Sequence, residues 1–381
     1  LPQAAAQALI AAERALASSD LAGALETAQL GIDCGALGQL AGELRAIKTQ
    51  AHFWRDEWEA ALGLGPDVVS QLAAGSEAWC RTLAVLLPTT SLSGRAEIFM
   101  ALGRRLTETD PQPAARPAYM QALSYLAISA CLVGQRQMAE GILQIMQATV
   151  SVTDGVQRLL GLGLQCFAEL VHARNFGRDA WRNYQLAAQT TPLTTETGDY
   201  RTLLFVKGYL GISLAELGQH TQVDEIFEDA LALAGRLQVP LLRLHVQVQQ
   251  HRAMLMRQAG PLQGPWPAQL TAVAESSAHN ALLGGQAQVN LAVLRNKQGL
   301  LAEALAAARQ GMDLLNGIPT EYQRALANYV LALALLGRGD EAQPWLDRAI
   351  ALLAEQPGGY AEPILHATLV SALSLLGHRE K

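Results

Sequence analysis

Eight histidines, four cysteines and one evenly spaced pair of asparagines are the side chains whose types could carry chemistry in this sequence. His245 and His251 are six residues apart, which puts them on different faces of a helix, and no HExxH stands elsewhere, so a shared metal is not expected. They read as structural or surface histidines. Cys34, Cys80, Cys131 and Cys166 are separated by 46, 51 and 35 residues with no CxxC. Dispersed cysteines in apolar stretches read as small core residues of a reducing, cytoplasmic protein. The sequence has no GxxxxGKS/T, no GxSxG and no kinase motif, and Gly63-Leu-Gly65 and Gly161-Leu-Gly163 are lone GxG pieces. No catalytic, cofactor-binding or metal-binding residue is therefore assigned, and no cofactor is expected. Asn290 and Asn328 differ in kind: they are 38 residues apart, each nine residues before a glycine, Gly299 and Gly337. An amide presents both a donor and an acceptor. Lys297 and Arg324 lie on the same two segments and could pair with a carboxylate. The competing reading is that all four are solvated polar residues on helix surfaces. The equivalent places elsewhere hold Tyr209, Cys166, Tyr125, Thr368 and Ala46, so there is no long asparagine ladder.

That spacing belongs to a larger pattern. Gly299-Leu-Leu-Ala-Glu-Ala304 and Gly337-Arg-Gly-Asp-Glu-Ala342 are the clearest of a series of corners that includes Gly134 to Ala139, Asn175 to Ala180 and Gly218 to Val223. Weaker corners lie at Ser19 to Ala24, Arg55 to Ala60 and Gly94 to Phe99. The residues closing these corners are spaced by 36, 39, 40, 41, 43, 81 and 38. The double step implies a hidden unit near residue 263, where Gly260-Pro-Leu-Gln-Gly-Pro-Trp-Pro267 forms a proline-rich loop after a helical stretch, Leu241 to Gln258. Val223, Ile226, Phe227, Ala230, Leu231 and Ala234 make a helical apolar stripe. Helices are expected to stop at Gly65-Pro66, Pro88, Pro111 with Pro113, Pro192, Pro240, Pro319 and Pro357. Trp54 and Trp58, four apart, are expected on one packed helical face, and Trp266 as a plug between two units.

A repeat near forty residues means helix pairs that cannot bury their apolar faces alone and must stack. The expected fold is all-α, a superhelical solenoid of about nine antiparallel helix pairs in one continuous array over 1–381. Its units are loose over 1–110, clearer over 111–240, degraded over 241–280, clear over 281–356 and incomplete over 357–381. The sequence ends in a corner at Gly377, which suggests a piece of a longer polypeptide. Half the residues are apolar, the formal charge is −6 and the pI is near 5.8. That balance argues against nucleic acid and anionic membrane surfaces as partners, and no apolar run reaches the roughly 18 residues of a membrane span.

Gly337, Ala342, Leu346 and Ala349, and likewise Gly218, Val223, Phe227 and Ala230, match the turn glycine and the small, large, small second-helix positions of the tetratricopeptide repeat, which the chain resembles over nearly its whole length. Asn290 to Gly299 resembles the kinesin-light-chain type of first helix. The long units, and Ala51-His-Phe-Trp-Arg-Asp-Glu-Trp-Glu-Ala60 in particular, are similar to arrays attached to bacterial Hanks-type Ser/Thr kinases or to MalT-like signal-transduction ATPases. The resemblance implies an open superhelix of order 90 Å at ~10 Å per helix layer, with first helices lining a concave groove. There Asn290 and Asn328 would bond the backbone of a protein or peptide ligand, with Lys297 and Arg324 beside them. The implied function is a non-enzymatic scaffold regulating an attached or associated catalytic domain. The alternative is a small-molecule inducer sensor, which requires a tight pocket lined by aromatic and polar groups.

Overall fold

The computed structural model describes residues 2–177, 179–257, 264–355 and 363–377. Among them the chain is all-helical, with nineteen α-helices and one short 3-10 turn. In chain order these are α1 (Pro2–Ala17), α2 (Leu21–Asp33), α3 (Gly38–Trp54), α4 (Trp58–Gln71), α5 (Glu77–Leu92) and α6 (Ala96–Thr107). There follow α7 (Arg116–Leu132), α8 (Arg136–Ser151), α9 (Gly155–Phe176), α10 (Ala180–Glu196), α11 (Tyr200–Glu216) and α12 (His220–Leu237). The last are α13 (Pro240–Arg257), α14 (Trp266–Ser276), α15 (Ala281–Gln298), α16 (Leu301–Leu314), α17 (Pro319–Leu335), α18 (Gly339–Glu355) and α19 (Pro363–Leu375). Each odd-numbered helix packs on the even one that follows, and odd helices also pack on their odd neighbours. No helix of the described residues is long and apolar enough to cross a membrane.

One turn geometry makes the pairs. At Gly299 and Gly337 the backbone is left-handed, with φ of 74° and 72°. The next amide then reaches back five residues, Leu300 N–H to the Arg295 carbonyl at 2.9 Å and Arg338 N–H to Leu333 at 3.0 Å. This is the bond that satisfies the loose carbonyls at a helix end. In the first two pairs the same bond forms around Ser19 and Asp56, at φ of 67° and 66°. Those residues hide the corner from a reader looking for glycine, and Trp54 and Trp58 consequently lie on two helices, not on one face. The fifth corner departs, because Gly177 is extended at φ −95° and ψ 169°.

The even helices bury the residue expected after the corner at Ala24, Phe99, Ala139, Val223, Ala304 and Ala342, small in four of the six. Two positions need correction: the buried contact falls on Ala61 instead of Ala60, and on Asn183 instead of Ala180. In the pair formed by α13 and α14 it falls on Leu270, seven residues beyond position 263. The loop between those helices lies largely outside the described residues, but Trp266 is 6% exposed and packs with Leu255, Leu270 and Leu294. Several expected helix stops are also corrected. Gly65-Pro66 falls inside α4, Pro88 inside α5 and Pro192 inside α10. An interior proline costs about 3 kcal/mol, which burial of the flanking face outweighs: Leu86, Leu87, Thr89 and Thr90 are all fully enclosed. Pro240 and Pro319 open helices, where no amide is lost.

The early pairs lie against the late ones. Arg201, at the start of α11, donates to the Leu16 carbonyl at 2.9 Å, beside the first corner. Asp56, at the second corner, accepts from Asn280 Nδ2 at 2.6 Å and bonds His279 Nε2 at 2.9 Å, just before α15. Gly134, at the fourth corner, sits against Pro319 at the start of α17. These three corners each meet the beginning of a helix pair five or six pairs later. Leu92 and Leu132 accordingly share an apolar cluster with Val289, Leu326 and Tyr322.

Candidate ligand chamber

The odd helices turn one face inward, and two cavities open among those faces. The first has a volume of about 340 Å³. Its polar wall is made by Gln50 of α3, Arg81 of α5, Gln121 of α7, and Asp199 and Arg201 at the start of α11. Trp54 and Leu164 supply apolar surface. Asp199 is placed by its role as the cap of α11, accepting from the Thr202 amide at 3.2 Å. Burial raises its carboxyl above the ordinary value, against the opposing pull of Thr202 and Arg201. Arg201 is held by the Leu16 carbonyl and lies 4.6 Å from the centre of the Trp54 ring, a stacked cation–π contact. Arg81 bonds Glu77 at 2.5 Å and is half exposed at the mouth.

The second cavity, about 90 Å³, is apolar and aromatic. Phe53 stacks on Trp58 at 6.3 Å and Phe167 on Phe205 at 6.0 Å. Tyr125, Tyr209 and His245 complete the ring of π-surfaces. His245 meets Phe205 edge-on at 4.8 Å, and burial lowers its pKa to about 4, so the imidazole is neutral near pH 7. Pro88 faces this cavity from inside α5.

The two cavities share no lining residue but lie on neighbouring turns of the same three helices. Val85 lines the first and Pro88 the second; Gln121 lines the first and Tyr125 the second; Leu164 lines the first and Phe167 the second. On α5, α7 and α9 alike the step is three or four residues, one helical turn or ~5.4 Å. Tyr125 marks the boundary. Its ring faces the aromatic cavity, while its hydroxyl feels the charges of Asp199 and Arg201 in the polar one. That hydroxyl is buried, and the Gln121 amide approaches it without closing a bond of normal geometry.

The four residues singled out from the sequence lie on α15 and α17, and none lines either cavity. Asn290 is 1% exposed and donates to the Val248 carbonyl of α13 at 3.0 Å. Asn328 is also buried and donates to the Arg324 carbonyl of its own helix at 2.9 Å. Lys297 reaches the Leu255 carbonyl at 2.9 Å. Arg324 joins a buried ionic group, 2.7 Å from Glu321, which also meets Arg252 of α13 at 3.2 Å. Burial would raise the Glu321 carboxyl, but Arg324 and Arg252 outweigh it and hold the pKa at about 2. The same repeat position that holds these asparagines holds Tyr125 and Tyr209 in earlier units, and those two do line the aromatic cavity. Arg201, Asp199 and Gln121 carried no sequence signal beyond their polarity. Among the described residues no group of three or more His, Cys, Asp or Glu side chains is placed to hold a metal ion.

No protein-family model matches the chain, and no curated protein matches it at a significant level.

Proposed function

We propose that this chain is a non-catalytic binding and sensing module, a tightly wound superhelix of tetratricopeptide-like pairs that holds a small molecule on its inner side. The carrying observation is the 340 Å³ cavity, whose wall joins two arginines, a carboxylate, two amides and a tryptophan from α3, α5, α7 and α11. That volume falls in the ~300–1,000 Å³ range of ligand sites. Contacts between early corners and late helix starts favour this over a long groove for an extended peptide, because the inward faces meet each other. A ligand bridging α3, α7 and α11 would change how those pairs sit, and so report to an attached or associated catalytic domain.

A protein partner remains the second reading, favoured by Trp181, 54% exposed and stacked on Tyr184 at 5.1 Å on α10. Exposed tryptophan and tyrosine are the residue types that dominate protein interfaces. Thermal unfolding in the presence of a panel of small organic anions, cations and neutral polyols separates the two. At least one class should raise Tm by several degrees, and Gln121→Trp, which fills the cavity, should abolish the shift. A shift that survives Gln121→Trp, or no shift with any class, overturns the small-molecule reading in favour of a protein partner.

A further inference from the structure

The charges lining the polar cavity are balanced in number but not paired in space. Three charged side chains line it, Arg81, Asp199 and Arg201. Arg81 is neutralised by Glu77, 2.5 Å away and one turn back on α5. That leaves one negative and one positive group. Asp199 caps α11 and Arg201 is its second residue, and side chains two positions apart on a helix do not face each other. They form no ion pair. Among the described residues no carboxylate closes on the Arg201 guanidinium, whose Nη2 reaches only neutral oxygens, the Leu16 carbonyl at 2.9 Å and the Ser19 hydroxyl at 3.5 Å. Its Nε and Nη1 are unused. Asp199 engages Oδ1 with the Thr202 amide at 3.2 Å and leaves Oδ2 unused as well. None of these three atoms is enclosed by protein, and the space that both residues line is this cavity. Gln50 adds a second acceptor: its Nε2 donates to the Ala46 carbonyl at 3.2 Å, while its Oε1 is unused and open. Burial raises the Asp199 carboxyl and lowers the Arg201 guanidinium, as expected of charges taken from water without a full counterpart.

We propose that the ligand is a zwitterion of the α-amino-acid kind with an apolar side chain. Its carboxylate lies on the unused edge of Arg201, its ammonium between Asp199 Oδ2 and Gln50 Oε1, and its side chain against Val85, Leu160 and Leu164. This rests on the small-molecule reading above and adds the ligand's chemistry. A buried charge is costly unless it is paired, and a zwitterion pairs both groups at once. A plain carboxylate serves Arg201 and leaves Asp199 alone; a plain amine does the reverse. The 340 Å³ of the cavity is about twice the ~150 Å³ that accepts benzene, which leaves room for a side chain beyond the head group.

The test is calorimetric titration of the full chain with glycine, L-alanine, L-valine and L-leucine, with isocaproate as leucine without its ammonium and isopentylamine as leucine without its carboxylate. Affinity should rise from glycine to leucine as apolar surface is buried. Isocaproate and isopentylamine each keep one charged contact and should bind at least about tenfold more weakly than leucine. Asp199→Asn retains a good helix cap and removes the charge, so the helical signal should hold while leucine loses its advantage over isocaproate. Arg201→Gln should likewise remove the advantage of leucine over isopentylamine. Either half-ligand binding as tightly as leucine would overturn the zwitterion, and so would an advantage over isocaproate that survives Asp199→Asn. Equal affinity for glycine and leucine would overturn the side-chain placement. Absence of binding by all six probes removes the zwitterion, and the Gln121→Trp comparison then decides separately whether the cavity binds another class.

Discussion

At the residue scale, the polar side chains of the inner faces divide between those that hold helices together and those that face the chamber. Asn290, Asn328 and Lys297 donate to backbone carbonyls and Arg324 joins an ionic group, while the Asn290 Oδ1 is buried without a hydrogen-bond partner. Glu321 is the centre of that group, tying α17 to α13. Its folded pKa of about 2 lies below the ordinary value of 4.5. A depressed carboxylate stabilises the fold fully above the unfolded value and loses that contribution as pH falls toward the folded one. Urea unfolding should therefore show stability declining between about pH 4.5 and 2, with a smaller decline in Glu321→Gln. At pH 7 that variant should lose up to about 3–5 kcal/mol, the scale of a broken buried ion pair. An unchanged slope would show that other carboxylates govern the acid limb.

At the element scale, the repeat is a backbone geometry before it is a sequence motif. The left-handed residue and the amide reaching back five positions occur at Ser19 and Asp56 as they do at Gly299 and Gly337. An L-residue in that conformation costs about 1 kcal/mol that glycine avoids. Ser19→Gly should thus raise stability by up to about 1 kcal/mol, and Gly299→Ala should lower it by about 1 kcal/mol, both read from chemical unfolding. Equal effects of the two would mean that the corner is not what limits the early pairs. Interior prolines teach the same lesson in reverse. Pro88 and Pro192 break the local rule, yet α5 and α10 continue through them because the surrounding faces are buried.

At the scale of the whole molecule, the decisive feature is that early corners rest on late helix starts. Asp56 with His279 and Asn280, and Arg201 with Leu16, join residues 185 to 224 positions apart. Asn280→Ala removes a buried bond and a cap, whereas Asp56→Asn keeps the shape and removes the charge. Small-angle scattering should show a larger radius of gyration for either variant while far-ultraviolet circular dichroism keeps its helical signal. A radius identical to that of the parent would show that the apolar cluster around Leu92, Leu132 and Val289 closes the molecule by itself. The sequence by itself determined the helix pairs, because period, apolar stripe and corner are local and recur near every forty residues. Its phase puts Asn290 and Asn328 in register with Tyr125 and Tyr209, of which only the tyrosines line the aromatic cavity. Only the tertiary structure decided that the inward faces meet, that Asn290 and Asn328 are used between and within helices, and that Arg201 and Asp199 come beside Trp54 and Gln121. The reason is physical: these contacts join segments far apart in the chain, and a local pattern of turns and apolar stripes does not specify which distant segments meet.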